Sequence, residues 1–378
     1  LKVIAGEIPD CVPVAPDISN MIPAKQTGMP FWDIYLYEKI PIWKAYIDSV
    51  KYFGFDSLMD GYVQVNFEEL GDIDHESIEV IVNRDESKIV TQKYKIQKGQ
   101  KVWADHVNAY YPANPPTMKL HPHKIGLPLV PDRWEPISDR VEHPQGEALL
   151  RWAKEEMGDH GLVGVTCGIS ILLHSEQDIL DYYDDPGKFH AERDRLLDYY
   201  ERRLHKLMSL ENKPDFICTG GSGTLVFQSP QIFRDLGLPI VQKITALCKK
   251  YGIPTHVHSC GPEADLVKIM AEETDLTIID PLEIPPMGNC NLAEIKRLYG
   301  KKLILKGNLH TTNVMLFGTI RDVEEASRKA IDDAGKDGRF ILSTGDQCGR
   351  DTPEENLFAM INTARTYGQY PIRSVEGS

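Results

Sequence analysis

Long hydrophobic runs are missing from this chain of 378 residues. None of its apolar stretches approaches the roughly 18 consecutive residues that a membrane-spanning helix requires. The first residues, Leu1–Gly6, also lack the long apolar core of a secretory signal peptide. The sequence therefore argues against a membrane protein and predicts a cytoplasmic one.

Positive charge is also scarce. Lys and Arg number 42 against 56 Asp and Glu, which gives a formal net charge of −14. Nucleic-acid binding requires a basic face that neutralises phosphates, so this balance argues against nucleic acid as a partner. No arginine precedes Arg84 in the chain.

The cysteines are too few and too scattered for a disulfide framework. Seven are present, and the odd count fits reduced thiols in a cytosol. In such a compartment a solvent-facing thiol usually binds metal or reacts. The seven are Cys11, Cys167, Cys218, Cys248, Cys260, Cys290 and Cys348.

From about residue 145 the chain alternates short apolar runs with amphipathic segments. Nearly continuous hydrophobicity is typical of strands buried on both faces, and strand–helix alternation predicts a parallel α/β fold. No G-x-G-x-x-G turn follows a run, which weakens a dinucleotide-binding sheet and favours a (β/α)8 TIM barrel. The predicted strands lie at 161–165, 216–218, 255–258, 276–279, 303–305 and 340–342.

The earlier part of the chain is less regular. We predict one barrel domain over residues 1–378, with residues 1–50 as an N-terminal arm and a candidate first strand at 55–63. Residues 78–140 are predicted to form an insertion, which begins with a β-hairpin around Asp85-Glu86-Ser87 and continues as a Pro-rich, lid-like segment.

Several helix starts carry local signals. Ser229-Pro230 combines a cap with a first-turn proline, and Asn291 is a candidate cap for a helix that ends at Gly300. Asp322 is predicted to begin another helix. Thr352-Pro353-Glu354-Glu355 has the S/T-x-x-E pattern of a capping box for the last one.

The strongest chemical signal is a pair of donors two residues apart, His258 and Cys260, at the end of an apolar run. Side chains two apart on a strand share a face, and Cys348 follows a later strand that ends at the same edge of a parallel sheet. Three such ligands with a vacant fourth position describe a catalytic zinc site. The alternative is that His258 and Cys260 are plain core residues; Cys348, in a Gly-flanked loop, favours metal.

Other polar residues are predicted at the C-terminal ends of the strands, where the active-site residues of (β/α)8-barrel enzymes lie. Glu283 or Asp280 is a candidate to fill the vacant zinc position at rest or to act as a proton donor. We predict catalytic roles for Glu283 and Asp346. The predicted substrate-binding residues are Asp60, Cys218, Asn308 and His310.

Three motifs carry a resemblance to a known family. H-x-C-G matches His258–Gly261, G-N matches Gly307-Asn308, and the closing pattern S-x-G…C-G…T-P-x-E-N matches residues 343–356. With these the chain resembles the uroporphyrinogen decarboxylase superfamily, in particular its branch of zinc-dependent, corrinoid-linked methyltransferases. The resemblance covers roughly residues 210–370. It implies a (β/α)8 barrel in which His258, Cys260 and Cys348 bind zinc.

Two departures from the family pattern bear on function. The decarboxylases resemble one another in an arginine-containing P-x-W-x-M-R-Q-A-G-R segment, whereas the Pro-aromatic stretch Gly28–Asp33 has no arginine. Substrate carboxylates are usually bound by bidentate arginine, so decarboxylation of a tetrapyrrole is disfavoured. His310 stands where the family often has an acidic residue after G-N-L.

The resemblance implies a methyltransferase that moves a methyl group between a small donor and the cobalt of a corrinoid. The D-x-H-x-x-G pattern of cobalamin-binding domains is absent, so the corrinoid is expected on a separate partner protein. A methyl ether is the favoured donor, in an O-demethylation where zinc polarises the ether oxygen. The alternatives are a methylcobamide:thiol methyltransferase, a uroporphyrinogen decarboxylase-type carboxy-lyase, and a non-catalytic barrel. Direction of transfer and oligomeric state stay open.

Overall fold

A computed structural model describes residues 1–372 of the chain. Two compact units are present. The first contains Leu1–Ser19, Val50–Val65 and the chain from Gly146 onward. The second contains Asn20–Ser49 and Asn66–Gln145.

The strands and helices follow one another in an order that we number along the chain. The strands are β1 Ser57–Met59, β2 Ile78–Arg84, β3 Ile89–Gln97, β4 Gln100–Tyr110, β5 Thr117–Leu120, β6 Glu135–Pro136, β7 Gly161–Thr166, β8 Phe216–Cys218, β9 Thr255–His258, β10 Ile278–Asp280, β11 Ile304–Leu309 and β12 Phe340–Thr344. The α-helices are α1 Met21–Gln26, α2 Phe31–Tyr35, α3 Ile42–Phe53, α4 Gly146–Met157, α5 Glu176–Asp184, α6 Gly187–Ser209, α7 Thr224–Phe227, α8 Pro230–Ile232, α9 Leu238–Tyr251, α10 Ala264–Glu273, α11 Leu292–Tyr299, α12 Ile320–Ala334 and α13 Glu354–Thr366. Two π-helical stretches lie at Phe233–Gly237 and Thr311–Leu316.

The first unit is built on a seven-stranded sheet in the order β1-β7-β8-β9-β10-β11-β12. Every neighbouring pair in it is parallel. All residues of β11 and β12 are buried, as expected of strands covered on both faces. The six apolar runs that predicted strands correspond to β7 through β12, so the predicted parallel α/β fold is confirmed.

A short N-terminal segment joins the two edges of this sheet. Val14 bridges in parallel to Leu342 of β12. On the other side, the Asp56 N–H donates to the Val14 carbonyl just before β1 begins, at 2.9 Å. The segment therefore occupies the eighth strand position of the barrel. The sequence did not predict it because Pro13 and Pro16 flank Val14, and proline is a poor strand former.

The helix starts only partly follow their local signals. The side chain of Asn291 accepts a hydrogen bond from the Glu294 N–H at 3.1 Å, as predicted for the cap of α11. Helix α12 begins at Ile320 and not at the predicted Asp322, because Thr319 is its N-cap and Asp322 completes a capping box from within the first turn. The capping box predicted at Thr352 is wrong, because Pro353 is extended and serves as the N-cap of α13 without a side-chain bond.

The second unit contains an antiparallel sheet in the order β5-β4-β3-β2-β6. Strands β2 and β3 pair with each other across the turn predicted at Asp85-Glu86-Ser87. The Asp85 carboxylate accepts backbone N–H groups of Ser87 and Lys88 at 2.7 and 3.0 Å, which stabilises that turn. Whether the Pro-rich part of 78–140 acts as a lid stays a prediction. Across residues 1–372, no helix has the combined length and apolarity that a bilayer crossing demands.

The partly buried ammonium group of Lys296 on α11 should make the stability of the first unit depend on pH. Burial lowers the pKa of this lysine from 10.5 to about 8, and its ammonium group donates to the Gly338 carbonyl. The unfolded chain binds the proton of Lys296 more tightly than the folded chain does. This lysine therefore destabilises the folded state below about pH 8, and the destabilisation decreases as the pH rises from about 8 to 10.5.

We therefore expect Lys296→Met to raise the free energy of unfolding by roughly 1 kcal/mol at neutral pH, a reduced value because the ammonium group is partly exposed. The gain should shrink near pH 10, as measured by urea unfolding of both proteins at each pH. An equal gain at both pH values would contradict the linkage to this proton.

Candidate active site

A buried carboxylate organises the polar side chains at the C-terminal ends of β9, β10 and β11. Asp280 is only 1% exposed, and its Oδ1 accepts hydrogen bonds from His256 Nε2 at 2.9 Å and His258 Nδ1 at 3.1 Å. Its Oδ2 accepts from the ammonium group of Lys306. Burial by itself would raise the pKa of Asp280, but Lys306 and the two histidines outweigh it and hold that pKa well below its usual range. The carboxylate is therefore a fully paired buried anion.

His256 lies between two carboxylates. Its Nδ1 is 3.1 Å from Asp60 Oδ2, and its Nε2 donates to Asp280. Burial lowers the pKa of this histidine, but the two carboxylates overcome that effect and raise it to about 9. The Cys218 thiol donates to the same Asp60 oxygen at 3.3 Å, and burial raises the pKa of that thiol well above its ordinary value. Asp60 and Cys218, both predicted to bind substrate, thus meet in one cluster with His256.

The orientation of His258 is set by Asp280. Because Nδ1 donates to that carboxylate, Nε2 faces the other way and lies 3.6 Å from Asp346 Oδ1. Metal-binding histidines typically have this arrangement, in which a carboxylate accepts from one ring nitrogen and the other nitrogen is left for the metal.

A second cluster of donor atoms lies on the Asp346 side of His258. The Cys260 sulfur and one carboxylate oxygen each from Glu283 and Asp346 all lie within 4.8 Å of one another. Glu283 also accepts the Gly261 N–H, and the hydroxyl of Ser222 is 2.8 Å from the Cys260 sulfur. Burial raises the pKa of Glu283.

The donor set of this second cluster fits a zinc ion. Zinc takes sulfur, nitrogen and carboxylate oxygen ligands, which Cys260, Glu283 and Asp346 of the cluster and the neighbouring His258 offer. Two carboxylates packed this closely repel each other unless a proton or a cation compensates their charge. Asp280 is not free to join, because His256, His258 and Lys306 already occupy its oxygens.

Cys348 lies outside both clusters. Its thiol is completely buried, and burial raises its pKa to about 12. The backbone around it is fixed, since the Cys348 N–H donates to the Asp17 carbonyl and the Ser19 hydroxyl donates to the Cys348 carbonyl. Asp346, two residues earlier in the same loop, is the member of this loop that reaches the second cluster. The zinc role of Cys348 stays a prediction.

The two remaining predicted residues, Asn308 and His310, are both buried. Asn308 donates from Nδ2 to the Leu282 carbonyl at 3.0 Å. His310 accepts backbone N–H groups of Thr312 and Asn313 at its Nδ1. These contacts position the loops that follow β10 and β11.

Sequence reasoning missed the part that Lys306 plays. Lysine is rarely buried without a partner, and this one stands within the otherwise uncharged strand Ile304–Leu309. A charge inside a buried strand was a signal that a carboxylate had to lie opposite it. Ser222, which reaches Cys260, had no comparable signal in its glycine-rich surroundings.

The fold and these clusters define a (β/α)8-barrel protein with a candidate metal centre at the C-terminal ends of its strands. Residues 179–367, half of the chain, match the family described as "Uroporphyrinogen decarboxylase (URO-D)". The chain belongs to that family, and the resemblance read from its motifs is confirmed.

Two sequence relatives support the same branch of the family. "Methylcobamide:CoM methyltransferase MtbA" of Methanosarcina mazei is 30% identical over 139 residues, and its counterpart in Methanosarcina acetivorans is 28% identical over 137 residues. Each match covers 36% of this chain and 37% of the relative, so the chain spans little more than a third of the curated relatives it matches.

The fold has a close parallel among solved structures. A methyltransferase from Methanosarcina mazei superposes with a TM-score of 0.60 over 97% of this chain and 96% of its own, at 15% sequence identity. At that identity the likeness shows the fold alone, and it agrees with the predicted (β/α)8 barrel.

Proposed function

We propose that this protein is a methyltransferase that moves a methyl group between a small donor and the cobalt of a separate corrinoid protein. The observation that carries the proposal is the cluster of Cys260, Glu283 and Asp346, with His258 beside it, in a chain of this family. The sequence relatives named for methylcobamide chemistry support it.

Zinc is the cofactor that we propose for this cluster. His258 and Cys260 would hold it, together with either Cys348, as the motif predicts, or Asp346, as the donor atoms are arranged, and Glu283 would stand beside it. A zinc ion there would supply a Lewis acid for an oxygen or sulfur atom of the substrate.

The surrounding residues hold the ligands and their charges in place. Asp280 fixes the His258 ring by accepting from Nδ1, and Lys306 compensates the negative charge of Asp280. Because Asp280 and Lys306 are both buried, solvent does not compete for the hydrogen bond between them. The His258 ring is therefore oriented before any ligand binds.

Glu283 is the residue that we propose as proton donor. When a methyl ether is cleaved, the methyl group passes to cobalt(I), and the departing oxygen keeps the C–O electron pair and needs a proton. Burial raises the pKa of Glu283, so this carboxyl retains a proton to a higher pH than an exposed glutamate does. We favour O-demethylation of a methoxylated compound for this reason.

A thiol is the second candidate, as the acceptor of a methyl group from methyl-cobalt. The names of the two sequence relatives favour it, since both are methylcobamide:CoM methyltransferases. In that direction the thiol must lose its proton, and Glu283 or Asp346 would have to accept it. The predicted cytoplasmic location suits either direction.

The test is a cobalt methylation assay. We expect reduced corrinoid to become methylated when the protein is mixed with a methoxylated compound, as followed by the absorption spectrum of cobalt, and not with methylamines. If methyl transfer occurs only from methyl-cobalt to a thiol, the O-demethylation proposal is wrong and the thiol methyltransferase proposal is supported. Decarboxylation of a tetrapyrrole without either transfer would refute the proposal.

The role of Glu283 can be tested separately. Glu283→Gln is expected to lower kcat for ether cleavage about 100-fold, because the departing oxygen loses its proton donor. The loss should be smallest for ethers whose leaving phenol is acidic and therefore needs little help. Glu294→Gln, which changes an exposed glutamate of α11, is the matched control and should keep full activity. An equal loss for every leaving group would contradict a role in proton donation.

A further inference from the structure

The hydroxyl group of Ser222 contacts the Cys260 sulfur from a neighbouring loop. Ser222 lies in the loop that follows β8, and its Oγ is 2.8 Å from the Cys260 Sγ. A thiolate can accept a hydrogen bond but cannot donate one, so the hydroxyl is the donor whenever the sulfur is ionised. Ser222 is therefore placed to act on the charge of a proposed metal ligand.

Glycines surround Ser222, so its loop has few side chains of its own to hold it. The segment reads Gly220-Gly221-Ser222-Gly223, and Gly220 and Gly223 have left-handed φ angles of 86° and 71°. Glycine loses more conformational freedom on folding than any other residue. The contacts that hold Ser222 in place must therefore come from elsewhere in the fold.

A buried acid, Glu263 at the start of α10, supplies these contacts. It is only 2% exposed, and its Oε1 accepts hydrogen bonds from the Ser259 hydroxyl at 2.9 Å and the Leu225 N–H at 3.1 Å. The Ser259 hydroxyl oxygen in turn accepts the Thr224 N–H at 2.9 Å. Two consecutive backbone groups just after the glycine segment are thus bound to the loop that carries Cys260.

The chain on the other side of Ser222 is tied to the same point. The Thr224 hydroxyl donates to the Gly221 carbonyl at 2.6 Å, which closes a short turn around Ser222. Thr224 is completely buried, and the Ser170 hydroxyl lies 2.8 Å from its Oγ1. Ser222 is therefore held between two fixed neighbours.

The stability of the fold alone does not account for an acid at position 263. The Oε2 of Glu263 is buried and has no hydrogen-bond partner within residues 1–372, and burial raises the pKa of this carboxyl group. An unpaired polar atom in the interior destabilises the folded state, so such an atom in a native protein needs a separate explanation. The connection between the Ser222 and Cys260 loops provides one.

We propose that Ser222 and Glu263 are positioning residues of the metal centre, where Glu263 holds the two loops together and Ser222 donates a hydrogen bond to the Cys260 thiolate. The inference rests on the proposed function in taking Cys260 as a metal ligand. A hydrogen bond to the sulfur withdraws charge from it, so the thiolate donates less charge to a bound metal ion.

Cobalt(II) bound in place of zinc reports on the sulfur directly, because its absorption spectrum contains a thiolate-to-metal charge-transfer band. A hydrogen bond lowers the energy of the sulfur electrons from which this band arises. We therefore expect Ser222→Ala to move the band to longer wavelength. Ser222→Thr keeps the hydroxyl group and should keep the band at its wild-type position.

Two variants of similar size test Glu263. Glu263→Gln keeps an oxygen that can accept from Ser259 and Leu225, and we expect the wild-type spectrum. Glu263→Leu removes the acceptor and should move the band as Ser222→Ala does. Adding Glu263→Leu to Ser222→Ala should cause no further shift, because both changes act through one hydrogen bond. Ser222 is exposed, so its two variants should fold and test the hydrogen bond even if Glu263→Leu does not fold.

A band at the wild-type position in Ser222→Ala, or in folded Glu263→Leu, would overturn the inference, and so would a wild-type protein that binds no cobalt(II). The corrinoid methylation assay distinguishes this from a failure of the proposed function. Shifts as described without methylation of the corrinoid would leave the two positioning roles standing and refute the reaction. Methylation together with an unchanged spectrum in Ser222→Ala would leave the reaction standing and refute the inference.

Discussion

Replacing Cys260 with serine is expected to remove the bound zinc and abolish methyl transfer. A serine hydroxyl stays protonated near neutral pH, whereas a cysteine beside a metal ion ionises and binds it as thiolate. We expect about one equivalent of zinc in the wild-type protein. The metal affinity of Cys260→Ser should fall by more than about 100-fold, and its turnover by about three orders of magnitude.

The measurement is zinc content by elemental analysis after dialysis, together with the cobalt assay. Cys290→Ser is the matched control, because Cys290 is buried and lies outside both donor clusters. Full zinc content and full activity in Cys260→Ser would refute the proposed metal centre.

The same assay decides between the two ligand sets. If Cys348 is a ligand, Cys348→Ser loses zinc as Cys260→Ser does, and Asp346→Asn keeps it. If Asp346 is the ligand, the outcome is reversed. In the second case the Cys348 thiol is a packed core group that binds no metal, and Cys348 has a structural role in the motif.

The second large effect is expected at Asp280. Asp280→Ala leaves the Lys306 ammonium buried without the carboxylate that accepts its hydrogen bond, and removes the acceptor of two histidines. Breaking a buried ion pair in this way costs about 3–5 kcal/mol of stability. Urea unfolding at neutral pH, compared with the wild-type protein, measures the loss.

A double variant separates stability from metal binding. Asp280→Leu combined with Lys306→Met removes both charges of the pair, and we expect much of the stability to return. Zinc affinity should stay about 10- to 100-fold below that of the wild type, because His258 no longer has a carboxylate at Nδ1. Wild-type stability of Asp280→Ala would show that Asp280 and Lys306 do not form a pair.

Much of the barrel could be predicted from local pattern. The runs at 216–218, 303–305 and 340–342 are apolar on both faces, and a strand without a polar face is stable only where both faces are covered, as in a parallel α/β sheet. The cap at Asn291 was equally local, since a side-chain oxygen needs only the N–H groups of the next turn. Neither inference depended on distant parts of the chain.

The strand position of the segment at Val14 could not be predicted from the sequence, because it depends on distant residues. Its strand position depends on Leu342 and on Asp56, and its own flanking prolines argue against a strand. Hydrogen bonds supplied from distant residues decided the conformation there.

The sequence by itself indicated candidate donor residues and the edge of the sheet at which they lie. His258 ends β9 and Cys260 follows it, Asp346 follows β12, and parallel strands end at one edge. Only the tertiary structure decided which donors meet. The pairing of β9 with β10 sets Asp280 opposite His258, and this carboxylate then turns the imidazole towards Asp346. Contacts within 4.8 Å depend on register and side-chain rotamer, and neither is encoded in the spacing of residues along the chain.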